Sequence, residues 1–153
     1  MHISYRTFIL IALFLLLIGC GINPKIDTST NDDIQFTKLN TEKSIEQHPS
    51  NKAKDKLSKH DEITSINAVN TDKDIIITIE VHHLKRFQLN KTKEKTIKEM
   101  EKEFPKMKVL VSTDKKIIIE IEQLEQDIYS DSISQKELAK KVKKLKKLAK
   151  DQT

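Results

Sequence analysis

The chain has 153 residues, of which 33% are charged and 5% aromatic, with no tryptophan and a formal charge of +5. Its two glycines, Gly19 and Gly21, flank Cys20, so no glycine-rich loop is available to cradle a dinucleotide or a nucleoside triphosphate. Cys20 is also the single cysteine, which excludes an intrachain disulfide framework.

Residues 1–5 carry no acidic group, Arg6 adds a positive charge, and residues 8–18 are an unbroken apolar run. A helix that crosses a bilayer needs about 20 such residues, whereas a secretory leader uses about 7–15. The run is therefore read as a leader. It ends in Leu17-Ile18-Gly19-Cys20, which resembles a bacterial lipobox, with an aliphatic residue three positions before the cysteine and the small Gly19 at the cleavage point. The resemblance implies cleavage between Gly19 and Cys20, fatty acylation of Cys20, and a lipid anchor on the extracytoplasmic face of the cell membrane. The alternative is an ordinary secretory leader that contains one cysteine. An odd thiol in an exported chain calls for a purpose, and acylation supplies it. Each buried methylene contributes about 0.8 kcal/mol, and two or more acyl chains hold where one does not.

With residues 1–19 removed, residues 20–50 read as a flexible tether. They are polar, contain Pro24 and Pro49, and sustain no period of 2 or 3.6. Fully extended, such a segment reaches on the order of 100 Å. An α+β domain is expected over 51–130 and a lysine-rich helix over 131–153. Asn51 is predicted to cap a short helix through Ala53 and Leu57. Residues 63–69 predict a strand with Ile66 and Ala68 on one face. The polar stretch 70–74 has turn chemistry, and 75–81 is β-branched at nearly every position. That composition predicts a second strand buried in part on both faces, completing a hairpin. After the polar stretch 82–90 a helix is predicted over 91–104, with Ile97, Met100 and Phe104 as its core stripe. Pro105 stops it, and a third strand follows over 108–112.

Residues 115–128 fit two patterns. Ile117, Ile119 and Ile121 alternate as in a strand, while Ile117, Ile121, Leu124 and Ile128 follow helical spacing. The helical stripe is the longer one and Asp114 is placed to cap it, so helix is favoured, with Glu120, Glu122, Glu125 and Gln126 on its outer face. Ser134 followed by Glu137 is a capping-box pattern. It opens a last helix with Leu138, Val142, Leu145 and Ala149 on one stripe. The expected fold is a small α-β-β-α-β-α module with a three-stranded sheet.

This order of elements behind a lipobox resembles the YhcN/YlaJ family of sporulation lipoproteins, nearer the YlaJ branch. The resemblance is carried by Ile66-Asn67-Ala68-Val69-Asn70-Thr71-Asp72-Lys73-Asp74-Ile75-Ile76-Ile77 and by Phe104-Pro105-Lys106-Met107-Lys108-Val109-Leu110-Val111-Ser112-Thr113-Asp114. It covers roughly residues 51–130. It implies production during endospore formation, a lipoprotein of the spore membrane, and a part in germination or outgrowth. It brings no catalytic residue with it. The chain departs from the family pattern in lacking glycine in its domain and in its lysine-rich tail, which leaves the partner open.

The chemistry-bearing residues are few. His82 and His83 are adjacent at a strand end and so point to opposite sides, with Lys85 and Arg86 close enough to repel a cation. They read as a solvated loop and not as a metal site, which requires further ligands. Glu120, Glu122 and Glu125 share one predicted helix face and do not oppose each other across a cleft, as carboxylate acid/base catalysis requires. No enzyme activity and no cofactor are expected. Between residues 135 and 150, eight lysines against Glu137 give a net charge of +7 and leave the rest of the secreted chain net acidic. Basicity is thus a property of the tail. Lys140, Lys143, Lys144 and Lys147 are the candidates for binding an anionic surface. That surface is the bilayer that holds Cys20, at about 1 kcal/mol for each basic residue, or a wall polymer, or the acidic face of a spore or envelope protein. The plain alternative is a solvated helix that covers the domain. A nucleic-acid partner fits the charge pattern but not an exported location. The sequence reads as a non-enzymatic spore-membrane lipoprotein that binds a partner; the other reading is a general envelope lipoprotein serving as spacer or wall-polymer binder.

Overall fold

The β-branched stretches pair first with each other. Strands β1 (Ile63–Asn70) and β2 (Asp74–Val81) form an antiparallel hairpin with Ile66 opposite Ile79 and Ala68 opposite Ile77. In the turn between them, the Thr71 hydroxyl accepts the Asp74 amide at 3.1 Å and the Thr71 amide donates to the Asp74 carbonyl at 2.8 Å. Strand β3 (Lys108–Ser112) lies parallel to β2 on its other side, giving the order β1-β2-β3. A parallel neighbour requires a crossover. The 3-10 turn His83–Gln88 and the helix Leu89–Glu103 supply it. This computed structural model describes residues 34–39 and 45–151.

Four helices cover the mixed sheet: α1 (His48–Leu57), α2 (Leu89–Glu103), α3 (Lys115–Tyr129) and α4 (Gln135–Asp151). Alternate strand residues enter different cores. Ile66, Ala68, Ile75, Ile77, Ile79 and Val111 pack with Leu57 of α1, Met100 of α2 and Phe104. Val69 and Ile76 pack with Ile117, Ile121 and Leu124 of α3 and with Leu138, Val142 and Leu145 of α4. Central strand β2 is thus covered on both faces, which is why Ile75, Ile76, Ile77 and Ile79 occur with so little polar alternation. The expected α+β class, hairpin and three-stranded sheet are present. Residues 115–128 are helical, and the Asp114 carboxylate accepts the Lys116 and Ile117 amides at 2.9 and 3.1 Å. The α4 capping box is formed as well: Ser134 N–H donates to Glu137 Oε2 at 3.1 Å, and Glu137 N–H to Ser134 Oγ at 3.3 Å.

The domain boundaries at 51 and 130 are not where packing begins and ends. Ile34 and Phe36 belong to the first core, Leu39 and Ile45 to the second, so the described part of the expected tether lies against the sheet. These side chains are few and unevenly spaced, so no sustained period reveals them. Helix α1 starts at His48, with Pro49 in its first turn. Pro is tolerated there because that amide has no partner within the helix. Asn51 does not cap α1; from inside it, its side-chain amide meets Leu39 N–H and C=O at 2.8 and 2.6 Å. At the other end, Ile133 and α4 complete the second core and are not an appendage. Residues 1–33 and 40–44, with Gly19 and Cys20, lie outside the described residues.

The outer edge of β1 is closed by polar groups from three directions. Gln35 accepts the Ile66 amide at 3.1 Å and donates to the Thr64 carbonyl at 2.9 Å. Glu125 accepts the Ala68 amide at 2.8 Å. The buried Gln47 side chain meets Asn70 N–H at 3.0 Å and Asn70 C=O at 2.8 Å, as a strand would. An exposed row of unpaired amides invites pairing with another chain; here that row is occupied.

Candidate functional site

Helix α4 carries the lysines that the sequence marks out, and its core stripe decides where they point. Leu138, Val142 and Leu145 are buried, with Leu148 and Ala149 partly so. At about 100° per residue, Lys140, Lys143, Lys144 and Lys147 fall within an arc of roughly 100° on the opposite side. All four are exposed, and none forms an ion pair among the described residues. The flanking lysines are used structurally. Lys141 pairs with Asp127 at 2.9 Å, and Lys146 pairs with Asp74. The four candidate lysines are therefore brought together as one outward cationic stripe.

A groove of about 400 Å³ runs beside that stripe, between α3 and α4. Lys144 and Lys147 reach it from α4, Lys116 and Glu120 from α3, and Leu145 and Leu148 form its apolar part. One carboxylate among several ammonium groups makes it suited to a monoanionic or polyanionic ligand with some apolar character. Lys116 is the member that the sequence did not single out. It joins only because the turn at 130–134 folds α4 back on α3.

The most deeply buried charges lie elsewhere, at the edge of β1. Lys54 of α1 and Glu125 of α3 form a buried pair, Nζ to Oε1, at 2.5 Å. Lys54 also donates to the Thr37 carbonyl at 2.5 Å, while the same Glu125 oxygen accepts the Ala68 amide. Burial pushes the Lys54 ammonium down and the Glu125 carboxyl up, in each case against the attraction of its partner. This corrects the expectation that Glu125 shares the solvated outer face of α3 with Glu120. Its side chain turns under the β1 edge, where an amide and an ammonium await a carboxylate. A cleft of about 570 Å³ opens beside this pair, lined by Asn67, Glu122, Gln126, Asp127 and Tyr129 among others. Its acidic groups are engaged: Glu122 accepts from Asn67 at 3.4 Å, and Asp127 is bound by Gln123 and Lys141. The pair is a tie between the two helical layers.

The remaining candidates are not brought together. His83 is exposed and His82 is partly buried, on the turn after β2. His60 sits instead beside Glu99 at 3.0 Å and Glu62 at 3.8 Å. Among the described residues, no group of three His, Cys, Asp or Glu side chains is placed to hold a metal ion, and no helix is long and apolar enough to cross a membrane. No family model matches the chain, and neither does any curated protein or solved structure.

Proposed function

We propose that the protein is a membrane-anchored lipoprotein of the spore, without enzymatic activity, that binds an anionic surface during spore formation, germination or outgrowth. The anchor rests on the lipobox Leu17–Cys20 and the sporulation setting on the family resemblance. The binding role is supported by one observation above the others: Lys140, Lys143, Lys144 and Lys147 form an outward stripe while their neighbours Lys141 and Lys146 are paired. A helix needed only to cover the sheet has no use for four adjacent cations that repel one another.

Fractionation of growing cells, sporulating cells and purified spores, followed by immunoblotting, tests this reading. The wild type is expected in membranes of sporulating cells and spores only, and Cys20→Ala in the soluble fraction. Protein present throughout growth would move the role to a general envelope spacer or wall-polymer binder. A Cys20→Ala form that stays with membranes washed in high salt would remove the lipid anchor. In the soluble Cys20→Ala background, changing Lys140, Lys143 and Lys147 to Gln should weaken binding to anionic vesicles and flatten its salt dependence. Unchanged, salt-insensitive binding would dissociate the stripe from the function.

A further inference from the structure

The turn His83–Gln88 buries none of its residues. It carries the two most exposed large apolar side chains among the described residues, Leu84 at 84% and Phe87 at 81%. Residues three apart eclipse one another on a 3-10 turn, so Leu84 and Phe87 project from one side, flanked by the exposed Lys85 and Arg86.

Basic side chains lie beside this turn. Arg86 and Lys115 line a common groove of about 260 Å³ with Glu80, whose carboxylate is held by Lys115 at 2.6 Å. Lys116, next along α3, lines the groove that Lys144 and Lys147 share. Basic groups thus run from the turn to the α4 stripe.

The chain also arrives at this end. Ile63, which opens β1, is opposite Val81, which closes β2, and His82 N–H donates to Glu62 C=O at 3.2 Å. Gln35 lies alongside Thr64 and Ile66, so Ile34 sits beside the sheet end that bears the turn. Thirteen residues separate Cys20 from Ile34, a reach of at most about 50 Å. A lipid on Cys20 thus leaves this end, where the described chain begins, within reach of the bilayer.

We propose that this end of the domain is a membrane-contact face for an anionic bilayer. Leu84 and Phe87 enter the boundary between headgroups and acyl chains, and Lys85, Arg86 and Lys116 meet lipid phosphates. The proposal rests on the lipid-anchor reading and names the surface to which the anchored domain docks. A wall polymer would satisfy the cations but offers no place for two bulky apolar side chains, whereas an interfacial site takes both.

The chain has no tryptophan, so Phe87→Trp is a single emission probe. In the mature chain carrying Cys20→Ala, added vesicles of phosphatidylglycerol mixed with phosphatidylcholine should shift its emission to the blue. Brominated acyl chains should quench it. Phosphatidylcholine alone should do neither. Lys73→Trp, in the hairpin turn about 25 Å away at the other end of β2, should not respond. Replacing Leu84 and Phe87 together by Ser should lower vesicle affinity by roughly tenfold or more. Emission of Phe87→Trp that stays unmoved while the protein sediments with vesicles would overturn the proposal and leave binding to the stripe alone. Emission that is already blue without vesicles would show the patch covered by the chain itself. A blue shift that grows with protein concentration would assign it to a second copy; both results overturn the membrane face. Failure of the anchor is read separately, from incorporation of labelled palmitate into the wild type and its loss in Cys20→Ala.

Discussion

Lys54 is the residue whose environment departs furthest from what its type predicts. Its side chain is fully buried and its ammonium is satisfied by Glu125 and the Thr37 carbonyl. Removing one member of such a pair strands the other charge. Lys54→Met should therefore destabilise the fold by about 3–5 kcal/mol, measured by urea unfolding. Lys54→Met combined with Glu125→Gln should recover most of that loss, because the amide oxygen still accepts the Ala68 N–H while no buried charge remains. A double variant as unstable as the single one would show that the ion pair itself holds the layers. Glu103 makes the opposite case at the surface. Hydrogen bonds from Lys52 and then Lys56 hold its carboxyl down at about 2, against an ordinary 4.5. Its proton is bound less readily in the folded than in the unfolded chain. The resulting stabilisation is present above pH 4.5 and is lost as pH falls towards about 2. Replacing Lys52 and Lys56 by Ala should return the Glu103 titration towards the ordinary range, followed by NMR of its side-chain carboxyl.

At the scale of elements, the helices differ in how far each depends on its neighbours. Helix α3 announces itself, since Asp114 caps it and Ile117, Ile121, Leu124 and Ile128 recur at one face; all four are buried. Helix α4 has an equally clear local start in Ser134 and Glu137, yet its sequence reads as a tail because lysines outnumber its apolar residues. The sheet makes it integral: Leu138, Val142 and Leu145 cover the same core that α3 covers. A chain ending after residue 133 should expose that face. It should bind a hydrophobic dye such as ANS in the absence of denaturant and lose a large part of its urea stability. A truncated chain with an unchanged midpoint and no dye binding would restore the view of α4 as an appendage. The 3-10 turn His83–Gln88 has the least local signature of any element. His82–Gln88 mixes basic, aromatic and aliphatic residues without a period, and its form follows from the crossover that links parallel strands.

Across the whole molecule, charge is distributed by the ends of the sheet. At the hairpin end, Asp72 accepts from Gln135 at 3.4 Å and Asp74 pairs with Lys146, so the acidic groups are met by α4. At the opposite end, the exposed Leu84 and Phe87 share their turn with Lys85 and Arg86, and Arg86 lines one groove with Lys115 and Glu80. The closed β1 edge bears on the same asymmetry. With Gln35, Glu125 and Gln47 occupying its hydrogen-bonding groups, β1 is not open to strand addition.

The amino-acid sequence by itself determined the strands, most of the helices and the two caps. Those depend on periodicity, β-branching and side-chain contacts within three or four residues, all of which are local. It also sufficed to show that the α4 lysines oppose its apolar stripe, since 3.6 residues per turn is a property of the helix alone. Only the tertiary structure decided the rest. Lys54 meets Glu125 from 71 positions away, and Gln47 meets Asn70 across 23. Lone apolar residues such as Ile34, Phe36, Leu39 and Ile45 join the cores without any pattern of their own. A polar side chain is charged to solvent or to a partner according to what the fold places beside it, and that neighbour is not written next to it in the chain.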